Sequence, residues 1–266
     1  MNFKAKKFGK RLKRKYILFM AIEAIVIVGI VIKFVGFPGK SQKIACNENT
    51  GCKDEAVIVL HGLVRSSAAM NKIAGALNED GYTVCNIQYP SRKYSIAKLA
   101  TNNVYSEIQK CLPNYKERSL YFVTHSMGGI ITRQLANDTD LNIDRVVMLS
   151  PPNQGSELVD KLKVIPFFKL INGEAGLSLG TEANSVPNSL GGVNFATGII
   201  TGDRSLNPFY SYLIPGADDG KVSVASAKVS GMKDFLVVPH SHSFIMDSPV
   251  AIEQTIHFLN NGEFKS

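Results

Sequence analysis

The chain has 266 residues, 45% of them apolar and 20% charged, which is enough to bury the core of one α/β domain and excludes a disordered or low-complexity protein. Its net charge of +8 does not mark a nucleic-acid binder. Eight lysines and arginines and no acid fall within residues 1–15, and over the rest of the chain 22 basic residues balance 22 acidic ones.

Residues 1–15 read as a basic cytoplasmic segment. Residues 16–37 form an apolar run, YILFMAIEAIVIVGIVIKFVGF, broken only by Glu23 and Lys33. A helix crosses a bilayer in about 20 residues. The run is apolar all round and no Ala-x-Ala pattern follows it, so it is expected to be an uncleaved membrane anchor, not a cleaved signal or a helix lying on the surface. The positive block then stays in the cytoplasm, and the remainder lies on the periplasmic or extracellular side.

Residues 38–54 are polar and turn-rich and read as a linker. From residue 55 the pattern alternates. Strands are expected at 56–60 (AVIVL), 82–87, 119–123, 145–149, 198–202 and 235–238. Helices are expected at 67–78, 95–112, 127–136 and 249–259, the last with Pro249 at its start. Strands apolar on both faces that alternate with helices predict a mostly parallel sheet with helices on both sides. Residues 157–194 break the rhythm with Val164-Ile165-Pro166-Phe167-Phe168 and several glycines, and read as a cap-like insertion over the sheet. Cys46, Cys52, Cys85 and Cys111 all follow the anchor. They allow three full pairings, with Cys46–Cys52 the easiest to close. No CxxC occurs, which argues against zinc and thioredoxin-like chemistry.

The chemistry concentrates at strand ends. Thr124-His125-Ser126-Met127-Gly128-Gly129 follows a strand and opens a helix, the setting of a nucleophile elbow. The turn is sharp, it lifts the Ser126 hydroxyl above the sheet, and the helix N-terminus favours developing negative charge. Thr124 stands where the commonest pattern has Gly. His61-Gly62-Leu63 follows the first strand. In such an architecture the backbone N–H groups of Leu63 and Met127 form the oxyanion hole. An acid and then a histidine must follow the serine. Asp218 and Asp219 both sit in a late turn, and His240 and His242 both sit in the loop after the last strand. His242 lies deeper in its loop, before Phe244-Ile245-Met246, an apolar segment able to pin it near Ser126.

Taken together, VIVLHGL (57–63), FVTHSMGG (122–129), MLSPPNQGS (148–156), DDGKVSV (218–224) and HSFIM (242–246) resemble the α/β-hydrolase superfamily, and within it bacterial lipases and esterases. The resemblance implies an α/β-hydrolase fold over 55–266, no cofactor or metal, and an acid immediately before Gly-x-Val, which maps to Asp219. It also maps the base to His242. The implied activity is hydrolysis of carboxylic esters, lipids among them, through an acyl-enzyme on Ser126. The same residues would serve acyl transfer to an alcohol. A membrane-anchored binding module without activity is the reading of another class, and the intact Ser, Asp and His argue against it.

Overall fold

The computed structural model describes residues 39–48 and 51–266. The expected basic segment and anchor lie outside these residues. Among the described residues no helix is long and apolar enough to cross a membrane.

Seven strands form one sheet: β1 (Gln42–Ile44), β2 (Ala56–Leu60), β3 (Thr83–Ile87), β4 (Leu120–His125), β5 (Ile143–Leu149), β6 (Ala196–Gly202) and β7 (Asp234–Val238), in the spatial order β1-β3-β2-β4-β5-β6-β7. Six strands are parallel, and β1 runs antiparallel against β3, with Gln42 opposite Asn86. All six strands expected from the apolar pattern are present, most of them a residue or two longer. The stretch expected to be a linker contains β1. Its residues Gln42, Lys43 and Ile44 are mostly exposed and pair on one side only, so they carry no apolar pattern to read.

The alternation along each central strand builds two apolar layers. On β2, Ala56, Ile58 and Leu60 face one layer, while Val57 and Val59 face the other. On β4, Leu120 and Phe122 join the first layer, and Tyr121 and Val123 join the second. The second layer is closed by α1 (Asn71–Glu79), which continues a 3-10 turn at Ser67–Met70, and by the final helix, Pro249–Asn261. The first is closed by α2 (96–111) and α3 (Met127–Asp138).

The middle of α2, Leu99–Val104, is a π-helix. The buried residues Ile96, Ala100, Val104 and Ile108 recur every four residues. An α-helix turns through about 40° more than a full circle in four residues, so this stripe would drift off the core. The wider i→i+5 turn of the π segment rotates it back.

The insertion expected at 157–194 is helical: α4 (Glu157–Leu162), α5 (Pro166–Leu177) and α6 (Val186–Ser189). A further helix, α7 (Pro208–Leu213), follows β6, and the final helix is α8. The insertion is fastened from below by Arg133 of α3. Its buried guanidinium donates to Asn153 O (3.0 Å), to Pro187 O (2.8 Å) and to Gly191 O. All four cysteines are paired, Cys46 with Cys52 and Cys85 with Cys111.

Candidate active site

The carboxyl ends of the parallel strands carry the site. Ser126 lies between β4 and α3 with φ 54° and ψ −122°. A non-glycine residue in this region costs about 1–3 kcal/mol and persists only where the surroundings impose it. Here the imposition is steric. The helix after Ser126 starts so close to β2 that a Cβ on Gly128 would come within 2.8 Å of Leu60 O. Among the described residues the other non-glycine positions with positive φ are Val64 (56°) and Ser150 (49°). They follow β2 and β5, so the backbone strain gathers at the same sheet edge.

Ser126, His242 and Asp219 come together. His242 Nε2 lies 3.0 Å from Ser126 Oγ, and His242 Nδ1 lies 2.8 Å from Asp219 Oδ2. Asp219 Oδ1 accepts from the N–H groups of Lys221 (3.0 Å) and Val222 (2.9 Å), and Asp219 O accepts from His242 N (2.9 Å). Asp219 is 1% exposed, His242 4% and Ser126 9%, so solvent reaches the serine more than the pair behind it.

Burial works against a charge on Asp219. The facing His242, its hydrogen bond and the Val222 N–H outweigh it, and the carboxyl is held below its usual range. Burial dominates at His242 and pushes the imidazole down against the pull of Asp219. The resting pair is therefore a carboxylate beside a neutral imidazole. Nδ1–H donates to Asp219, and Nε2 is bare toward the serine hydroxyl.

The two paired alternatives are separated by their contacts. Asp218 closes its own turn, accepting from Gly220 N (2.7 Å) and from Ser211 Oγ (3.0 Å). His240 is held at the β6 side, where its carbonyl accepts from Arg204 N (3.2 Å). Leu63 and Met127, expected as the oxyanion-hole residues, lie in the loop after β2 and at the start of α3. Met127 is the first residue of α3. Leu63 follows Gly62, on which a Cβ would come within 3.1 Å of Ser126 Cβ and 2.8 Å of His125 Nδ1. Only a residue without a side chain brings the β2 loop this close to Ser126.

Two histidines not read from the motifs as working parts hold these loops. His125 Nε2 donates to His242 O (2.9 Å), which couples the elbow to the base loop. His61 is buried and stacks on Tyr89 with ring centroids 4.1 Å apart, and its Nδ1 lies 2.8 Å from Gly62 O. Both are neutral. Burial lowers His61 to about 4 and His125 well below its usual value. The signal in the sequence was their place, next to Gly62 and next to Ser126, although neither shows a partner there. Among the described residues no group of His, Cys, Asp and Glu is arranged to hold a metal ion.

Above the site, Gly176 of α5 packs against Leu63, and α4 packs against α7. Val164, Phe167 and Leu170 of the insertion are exposed, as are Leu206 and Phe209 near α7, whereas Phe168 packs onto the core.

The sequence pattern and the fold were compared with known proteins. Residues 56–178 match the model of the alpha/beta hydrolase family. None of the curated proteins matches the sequence. The mature lipase BlEst2 of Bacillus licheniformis superposes with a TM-score of 0.65 at 17% identity, over 85% of this chain and 99% of that one. Phospholipase PlaB of Legionella pneumophila gives 0.63 at 16%, over 79% and 59%. A metagenomic carboxyl esterase, MGS0156, gives 0.53 at 18%, over 73% and 67%. At these identities the likeness is one of fold.

Proposed function

Because this chain is an α/β hydrolase in fold, with that family's pattern over residues 56–178, we propose that it hydrolyses carboxylic esters through an acyl-enzyme on Ser126. The observation that carries the reading is the unbroken relay from Asp219 Oδ2 through His242 to Ser126 Oγ, with steps of 2.8 and 3.0 Å. Neutral His242 takes the serine proton as Oγ attacks the ester carbonyl. The carbonyl oxygen becomes an oxyanion, received by the N–H groups of Leu63 and Met127. Ionised Asp219 stabilises the imidazolium, which returns its proton to the leaving alkoxide. Water, deprotonated in turn by His242, releases the acid.

Esters with an apolar acyl chain are the favoured substrates. In support of this, Val164 (78% exposed), Leu170 (70%) and Leu206 (70%) leave apolar surface uncovered on the insertion and the α7 side. The domain is further proposed to work outside the cytoplasm, tethered by the apolar run at 16–37. Two disulfides among the described residues suit an oxidising compartment.

The test is kcat on a soluble short-chain ester. Ser126→Ala and His242→Ala are each expected to lower it by roughly 10³-fold or more, and the double variant little further, because the residues act as one unit. His240→Ala is expected to cost about tenfold at most, through its loop. An active Ser126→Ala protein, or a dead His240→Ala beside an active His242→Ala, overturns the assignment.

A further inference from the structure

The segment PPNQGS (151–156) between β5 and α4 has no part in the proposed relay, yet its last side chain is bonded away from its own helix. Ser156 is the N-cap of α4, where a serine hydroxyl ordinarily accepts from an N–H of the first helical turn. It makes no such bond. Ser156 is buried, and its Oγ donates instead to Lys221 O at 2.6 Å, 65 residues along the chain.

That carbonyl belongs to a peptide group that holds the acid. Lys221 C=O and Val222 N–H are the two ends of one planar unit and point in opposite directions. The N–H donates to Asp219 Oδ1 at 2.9 Å and helps to hold the carboxyl below its usual range. A hydroxyl on the carbonyl end therefore fixes the tilt of the N–H on the other end, and polarises it into a stronger donor. Ser156 is itself fixed. Its N–H donates to Leu179 O at 2.8 Å. The preceding Gly155 (φ 87°) lies so near Gly180 that a Cβ on it would strike Gly180 O. Beside Ser156, Glu157 Oε1 accepts from Ser223 Oγ (3.0 Å) and Ser226 Oγ (2.8 Å), which holds the rest of the same loop.

We propose that Ser156 is a positioning residue for the reaction. It aims the peptide group between Lys221 and Val222 at Asp219, and so extends the relay by one hydrogen bond to the root of the insertion. The inference rests on the ester-hydrolase reading above. Ser156 acts only through Asp219, whose Oδ2 must stay aligned on His242 Nδ1 while the imidazole gains and loses its second proton. Without the hydroxyl the peptide group can rock, and the carboxylate with it. The cost falls on proton transfer and leaves substrate binding alone.

The test is the rate at which a fluorophosphonate labels Ser126, measured on the full chain for the parent protein, Ser156→Ala, Asp219→Ala and the double variant. For the parent and the Ser156 variants, kcat and KM on p-nitrophenyl butyrate are measured alongside. Ser156→Ala is expected to slow labelling and lower kcat roughly tenfold, the worth of one buried hydrogen bond, with KM held within about twofold. In the Asp219→Ala background the same substitution is expected to slow labelling by less than about twofold, because the group it acts through is already gone. Ser156→Thr keeps the hydroxyl, and the extended backbone of Ser156 (φ −132°, ψ 122°) accepts a β-branched side chain. It is expected to restore most of kcat. A rate untouched by Ser156→Ala overturns the inference. So does an equal loss without Asp219, the mark of a purely structural residue, or a Thr variant no faster than the Ala one. Each of these leaves ester hydrolysis standing. A parent protein that neither hydrolyses the ester nor is labelled at Ser126 overturns both.

Discussion

Three buried imidazoles at one sheet edge make the fold sensitive to acid. His61, His125 and His242 are all held neutral by burial, His61 down to about 4 from an ordinary 6.5. The unfolded chain takes up a proton at each as pH falls through 6.5, and the folded chain does so only at its lower value. Between those values the unfolded state binds more protons, so stability rises with pH there and is lost on acidification. For His61 alone a difference of this size is worth about 3 kcal/mol. Urea midpoints taken from pH 7.5 down to pH 4.5 are therefore expected to fall steadily, and less steeply in His61→Gln. A flat profile in the parent protein would show that these imidazoles are not buried neutral. The proposed triad was legible in the sequence, because Ser126, Asp219 and His242 each punctuate a strand end in a required order, and the fold brings the three side chains together. The tie from His125 to His242 O was not, since it is made across the fold. The strain at Val64 and Ser150 was hidden for the same reason, because neither is a residue type that announces a positive φ.

At the scale of elements, the parallel strands were readable because burial on both faces writes continuous apolar runs such as AVIVL. The two features missed are those in which another rule prevails. β1 is three residues long and polar, and exists only because the edge of β3 offers it hydrogen bonds. The π turn in α2 follows from a four-residue stripe that was visible at Ile96, Ala100, Val104 and Ile108 but was not read as a change of pitch. The Cys85–Cys111 bond ties that helix to β3 across 26 residues of chain, whereas Cys46–Cys52 spans only 6. A cross-link stabilises more as the loop it closes lengthens. Cys85→Ala with Cys111→Ser is expected to cost about 2–4 kcal/mol by guanidinium denaturation, and removal of the Cys46–Cys52 bond clearly less. Equal losses, or none at Cys85–Cys111, would count against that bond as a fold-closing link.

For the whole molecule, the basic block and apolar run ahead of the domain lead to a topological expectation. A reporter fused after Ser266 should be active only outside the cytoplasm, and the protein should stay with membranes through an alkaline wash. A soluble product trimmed near residues 37–46 would instead identify a cleaved signal. β1 adds a consequence to this. It runs against its neighbours, so the described domain begins, at Gly39, on the edge where the parallel strands end. Lys40 O accepts from Ser67 Oγ there (3.2 Å), and Ser41 Oγ accepts from Gln88 N (3.1 Å). With β3 and β2 intervening, β1 stands about 14 Å sideways from the strand that carries Ser126, at roughly 4.8 Å per strand. On the proposed tether, the domain would search a plane instead of a volume, and its encounters with substrate would be those of diffusion in two dimensions.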